Sequence, residues 1–239
     1  MNNFRYFRSR AIQRLPSRRG RAVGAVAVVA AAVVLSGCTD ILVYGDSLTN
    51  ESSGQIESSA RDKSVVVHAE GGTALCDWVP EMAADRAQDH PTTVVIAFAG
   101  NIATCVDHAW RTGGPSAAVA NYDAALRAVR KAFPTERIIV VGAIAAQDRV
   151  GWSPFVGNPQ LNAMYRRVAR EIGATYAPWA DWALTPGHVY VEYRPPFPCL
   201  APDTGKCAPV LVRRSDGVHL TPEGQRWYGW ALTFDAVKP

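Results

Sequence analysis

No stretch of this 239-residue chain approaches the ~20 consecutive apolar residues that a helix needs to cross a bilayer. There is no internal repeat and no low-complexity linker, which argues against a solenoid or a string of domains and leaves room for one full core. No C-x-x-C pair occurs among the five cysteines, so the usual zinc-ligand spacing is missing. Acidic residues are absent from the first 37 positions, where Arg5, Arg8, Arg10, Arg14, Arg18, Arg19 and Arg21 stand. Those seven arginines exceed the whole formal charge of +4, so residues 38–239 carry a net −3. The basicity therefore belongs to the amino-terminal segment, and the rest of the chain offers no case for a nucleic-acid partner.

After the arginines comes Ala22 to Leu35, an unbroken run of Ala, Val, Gly and Leu. Its 14 residues suit a secretory h-region. Leu35-Ser36-Gly37-Cys38 then resembles the bacterial lipobox, whose cysteine becomes the lipidated first residue of the mature protein. The expectation is a signal peptide over residues 1–37 and a mature domain over 38–239 that begins at Cys38. A plain signal peptide or an uncleaved anchor is the alternative. Ser17-Arg18-Arg19 hints at twin-arginine export, although Arg21 and Ala22 stand where bulky apolar residues are usual. Either route implies a bacterial protein that is exported, lipid-anchored at the surface or secreted, and that meets the membrane only through such an anchor. Export also places Cys76, Cys105, Cys199 and Cys207 in an oxidising compartment, where four cysteines allow two bridges and three connectivities. Cys199–Cys207 would close a short Pro-rich loop and Cys76–Cys105 would tie two strand-end loops. Zinc ligation by these cysteines is the competing reading.

Apolar strand-like runs alternate with helical patterns, which predicts an α/β domain with a central parallel sheet and helices on both faces. The strands are expected at 41–44, 64–68, 93–98 and 138–141, with a weaker fifth at 174–177. Helices are expected at 78–88, 116–133, 158–172 and 222–231. The last begins after Thr221, a good N-cap followed by Pro222 and Glu223. The stretch from Trp182 to Arg214 has no periodicity and reads either as a wall of the site or as a disulfide-pinned surface loop. His68 falls in a strand and His108 in a loop, both with structural roles.

Ligands of open parallel sheets bind beyond the carboxyl ends of the strands. Ser47, in Gly45-Asp46-Ser47-Leu48, follows the first strand. Gly71-Gly72 follows the second and Asn101 the third, so all three point to one rim. Near the chain's end lies Asp216-Gly217-Val218-His219. A serine hydroxyl is a poor nucleophile until a base takes its proton, and imidazole, titrating near ~6.5 as a class, is the usual base near neutrality. Asp216, three residues before His219, is close enough to bond the other ring nitrogen and set the tautomer. The Ser47 N–H, a glycine N–H from Gly71 or Gly72, and the Asn101 amide could surround a developing oxyanion. Asp46 is expected to brace the turn.

These four blocks resemble the SGNH, or GDSL-type, serine hydrolases, an esterase and lipase family. The resemblance covers the whole mature domain and implies a flavodoxin-like three-layer sandwich with about five parallel strands. The Ser and His blocks match fully. The Asn block departs from the family's Gly-x-Asn-Asp: here Ala99-Gly100-Asn101-Ile102 moves the glycine one place and lacks the aspartate. For the glycine, Gly72 directly before Thr73 is preferred, while Gly71 fits the family's Gly-x-Thr equally well. The implied activity is hydrolysis of carboxylic esters through a Ser47-His219-Asp216 triad, with no cofactor and no metal. Lack of a long apolar lid segment favours short acyl groups, on a small-molecule or glycan ester. The alternatives are acyl transfer to a sugar hydroxyl, a lipase for longer chains, or a non-catalytic ligand-binding lipoprotein on the same scaffold.

Overall fold

The computed structural model describes residues 39–102, 104–147, 155–199 and 207–238. The signal-like segment and Cys38 lie outside them. Among the described residues no helix is long and apolar enough to cross a membrane. Strands β1 (Ile41–Gly45), β2 (Val65–Ala69), β3 (Thr93–Ala97), β4 (Arg137–Val141) and β5 (Thr175–Ala177) form one sheet. All neighbours pair in parallel, in the order β2-β1-β3-β4-β5. This is the flavodoxin-like order, with its topological switch between β1 and β3.

Burial on both sides explains why the strands read as continuous Val and Ile runs. Successive side chains point to opposite faces. Ile41, Val43, Val95, Ile139 and Val141 face one core with Ile56, Leu184, Trp227 and Leu232. Leu42, Tyr44, Val94, Ile96, Ile138 and Val140 face the other with Leu126, Val129, Leu161 and Val168. The first core is covered by α1 (Ser47–Glu51), α2 (Ser53–Ser59), α7 (Trp179–Leu184) and α8 (Pro222–Thr233). The second is covered by α3 (Leu75–Trp78), α4 (Met82–Asp89), α5 (Asp107–Ala132) and α6 (Pro159–Glu171). The three layers and five strands agree with the expected class.

Several boundaries differ from expectation for identifiable reasons. The helix expected over 78–88 is two short ones, because α3 stops just before Pro80, whose ring blocks a continuing helix. The one expected from Ser116 is the second part of α5, which turns at Gly114 (φ 61°) and restarts at Pro115. His108 accordingly lies in a helix, not a loop. The irregular stretch from Trp182 holds the end of α7 and a short antiparallel pair, β6 (Tyr193–Arg194) with β7 (Val210–Leu211). At α8 the expected cap is present: the Thr221 hydroxyl accepts a bond from Gly224 N at 3.3 Å. Both favoured cysteine pairs lie at disulfide distance, Cys76–Cys105 with Cα atoms 6.0 Å apart and Cys199–Cys207 at 6.6 Å. Among the described residues no group of three or more His, Cys, Asp or Glu side chains could hold a metal ion.

Candidate active site

The chain leaves β1 at Gly45, where a side chain would collide with Thr49. Asp46 then caps α1, its Oδ1 accepting from Leu48 N at 3.1 Å. Its Oδ2 accepts from Ala99 N, just past β3, at 2.7 Å. One buried carboxylate thus clamps the turn carrying the serine to the end of the neighbouring strand. Burial pushes the Asp46 carboxyl up to about 6, against the two backbone bonds that favour its charge. Thr49 adds a second clamp, donating to Ala97 O at 3.1 Å. Ser47 is therefore the first residue of a helix whose start is held from two sides.

From the other end of the chain, His219 reaches Ser47: Nε2 lies 3.1 Å from Oγ across 172 residues of sequence. His219 Nδ1 lies 2.7 Å from Asp216 Oδ2. The remaining oxygen, Oδ1, accepts from the backbone N–H groups of Val218 and His219, each at 2.9 Å. Partial burial raises the Asp216 carboxyl, but the Val218 bond and the His219 contacts outweigh it and hold the group below the ordinary carboxylate range. The carboxylate is consequently ionised and fixed in direction, as a group that orients an imidazole must be.

Of the two other predicted blocks, the glycine pair approaches Ser47 and the asparagine bonds to the loop of that pair. A Cβ built on Gly71 would lie 3.8 Å from Ser47 Cβ, whereas one on Gly72, which has φ 81°, would meet nothing within 4 Å. Asn101 is half-buried, and its Nδ2 donates to Thr73 O at 3.1 Å, joining the third block to the loop of the second. An amide nitrogen carries two hydrogens, so this bond leaves it able to donate again. Tyr122 OH donates to Asn101 O at 2.8 Å from below. The displaced glycine of this block has a local cause. Gly100 takes φ 108°, and a Cβ there would lie 2.9 Å from Phe155 O. Cys76–Cys105 spans the same two loops, because Cys76 lies in α3 and Cys105 follows Asn101. His68, as expected, is structural: it packs on Tyr44 and Trp78 and faces Asp85 and Asp89 at 3.7 and 3.8 Å.

Two supporting residues escaped sequence reasoning. Glu51, one helical turn beyond Ser47, accepts from Leu220 N at 2.8 Å and pairs with Arg214 Nη2 at 2.9 Å. It straps the histidine segment to the serine helix. Arg213 is fully buried and donates to Val218 O and Ala145 O, both at 2.8 Å. Burial lowers its guanidinium to about 10. Among the described residues Arg213 forms no ion pair, and such a buried cation stands out only once the fold is known. Glu51 offers a faint signal, since it lies four residues after Ser47 and so on the same helix face.

A family model for GDSL-like lipases and acylhydrolases matches residues 43–227. Among solved structures, a Streptococcus pneumonia protein named for platelet activating factor superposes with a TM-score of 0.60 at 14% identity, covering 87% of this chain and 86% of its own. The lipase/acylhydrolase from Enterococcus faecalis gives 0.57 at 15% identity, covering 83% of this chain and 95% of its own. An acetyl-xylooligosaccharide esterase from Geobacillus Stearmophilus gives 0.52 at 14% identity, covering 84% and 95%. At these identities the likeness is one of fold. No curated protein sequence matches the chain.

Proposed function

The chain belongs to the GDSL-like lipase/acylhydrolase family, whose members generally hydrolyse esters, and from that premise we propose an exported serine esterase that removes short acyl groups, acetyl foremost, from a glycan. One observation carries the reading: the continuous relay from Ser47 Oγ through His219 to Asp216, with contacts of 3.1 and 2.7 Å. In the proposed reaction Ser47 Oγ attacks the ester carbonyl carbon while His219 Nε2 takes the hydroxyl proton. The carbonyl electron pair moves onto oxygen. That oxyanion is met by the Ser47 N–H, a glycine N–H and the Asn101 amide, of which each is worth ~3 kcal/mol in such sites. The approach of Gly71 to Ser47 favours it over Gly72 as the donor. Collapse breaks the bond to the leaving alkoxide, which receives the proton from His219. Water then attacks the acyl-enzyme, gives its proton to His219 and releases the acid, and the proton returns to Ser47.

Two features support the short-acyl, glycan part. The sequence has no long apolar lid segment to cover an acyl chain, and one protein of similar fold is an acetyl-xylooligosaccharide esterase. Export rests on the arginine-rich start, the 14-residue apolar run and the lipobox-like Cys38, with residues 38–239 as the mature domain. Thr39 stands at the amino end of β1 and Ser47 at its carboxyl end. An anchor on Cys38 would therefore hold the catalytic rim away from the membrane. The test is turnover of p-nitrophenyl esters from acetyl to decanoyl by wild type, Ser47→Ala and His219→Ala. Acetyl is expected to be preferred and both variants to lose at least a hundredfold. Equal turnover by all three proteins refutes the triad, and a decanoyl optimum refutes the short-acyl assignment.

A further inference from the structure

A groove of about 390 Å³ runs between α2 and α8, lined by residues outside the relay. One wall is aromatic. The Trp230 ring lies 4.9 Å from Phe234 and 6.1 Å from Phe197, so the three rings are contiguous. Gln55 and Ser58 of α2 also line the groove and supply amide and hydroxyl groups. Two guanidinium groups, Arg61 and Arg226, also line it. Arg226 pairs with Glu223 at 3.0 Å, whereas Arg61 has no ion pair among the described residues.

Arg61 is the informative residue. It follows the end of α2 with φ 61°, the left-handed conformation in which helices usually place glycine. An L side chain there strains the backbone, and strained positions concentrate where a side chain serves a ligand. Among the described residues the Arg61 guanidinium forms no ion pair and no hydrogen bond, so its charge is left for a ligand of the aromatic groove it lines.

We infer that this groove is a second binding site, and that its ligand is a carboxylate-bearing sugar unit of a glycan chain. A pyranose ring presents C–H faces that pack on aromatic rings and hydroxyl edges that need amide and hydroxyl partners, which matches this lining. The guanidinium groups select for an anion, since arginine binds carboxylates through paired N–H donors. A fatty-acyl chain would require a continuous apolar wall, which the polar side chains of α2 interrupt. The site would hold the polymer while the relay acts elsewhere on it. To that extent the inference rests on the glycan part of the proposed function.

Trigalacturonic acid, which carries no ester, tests the groove independently of hydrolysis. In calorimetric titration of the wild-type protein at low salt it is expected to bind with submillimolar affinity, and maltotriose at least tenfold more weakly. Arg61→Gly is expected to weaken the acidic sugar at least tenfold while the protein melts at the wild-type temperature or above, because glycine relieves the backbone. Arg226→Gln is expected to weaken it without altering turnover of p-nitrophenyl acetate. Unchanged affinity in Arg61→Gly overturns the inference, as does absence of binding by trigalacturonic acid. Arg61-dependent capture on phosphatidylglycerol vesicles, with the sugar inert, overturns it in favour of a membrane surface. Loss of ester turnover in Ser47→Ala is a separate result and leaves this one untouched.

Discussion

Replacing Asp46 by asparagine removes a buried charge while keeping nearly the same shape. The carboxyl is fully buried and is raised from an ordinary 3.8 to about 6, so its ionisation opposes folding. Below pH 3.8 both folded and unfolded chains hold the proton, and the group's titration has no effect. As pH rises toward 6 the unfolded chain releases its proton first, and stability falls by about 3 kcal/mol at 1.36 kcal/mol per pH unit. Above pH 6 that loss is complete. Asparagine does not titrate, so Asp46→Asn escapes it. The amide can accept from Leu48 N or from Ala99 N but not from both, and the mismatched N–H costs ~1–3 kcal/mol at every pH. Urea denaturation at pH 4, 5, 6 and 7 should therefore show the variant clearly weaker than wild type at pH 4. The difference should move in its favour by about 2 kcal/mol between pH 4 and pH 7, since part of the loss is already present at pH 4. A difference that stays constant across that range refutes the account of Asp46 as a costly buried anion.

Glu51→Ala should lower kcat for a short ester by ~10-fold or more with little change in KM, since it frees the histidine segment at Leu220 and Arg214. Glu51→Gln, which keeps an acceptor for Leu220 N, should recover most of the loss, and equal damage from both variants would contradict the strap. Asp216→Asn should cost on the order of 10³–10⁴ in kcat by presenting the wrong tautomer, a figure that steady-state kinetics can check. Because its folded carboxyl is depressed, the stability Asp216 contributes is present above the unfolded pKa of ~3.9 and fades as pH falls below it; urea denaturation of wild type and Asp216→Asn should show a stability gap at neutral pH that narrows below that value. Cys76→Ser with Cys105→Ser should reduce turnover more than Cys199→Ser with Cys207→Ser. The first bridge joins the loops of Gly71 and Asn101, and the reverse ranking in parallel assays would count against that link.

The residues of the proposed relay were legible because they sit in short local signatures: Ser47 after an apolar run, His219 three residues past Asp216. The sheet was legible as well, since strands buried on both faces must be Val- and Ile-rich. Short helices such as α1 and α2 span too few turns for a 3.6-residue period to register, and the alternation used for strands does not find them. Long-range polar contacts were hidden for a different reason. Asp46 bonding Ala99, and Glu51 bonding Leu220, join residues 53 and 169 positions apart. No local pattern marks such pairs. Arg213 resembles any surface arginine until the fold buries it against two carbonyls.

The meeting of Ser47 with His219 joins the first helix to a turn 172 residues further along the chain. All five strands of the parallel sheet lie before Asp216 and His219 in sequence, the last ending at Ala177. Under the proposed mechanism, a chain shortened before residue 216 would keep every strand of that sheet and lose the proposed base and its carboxylate.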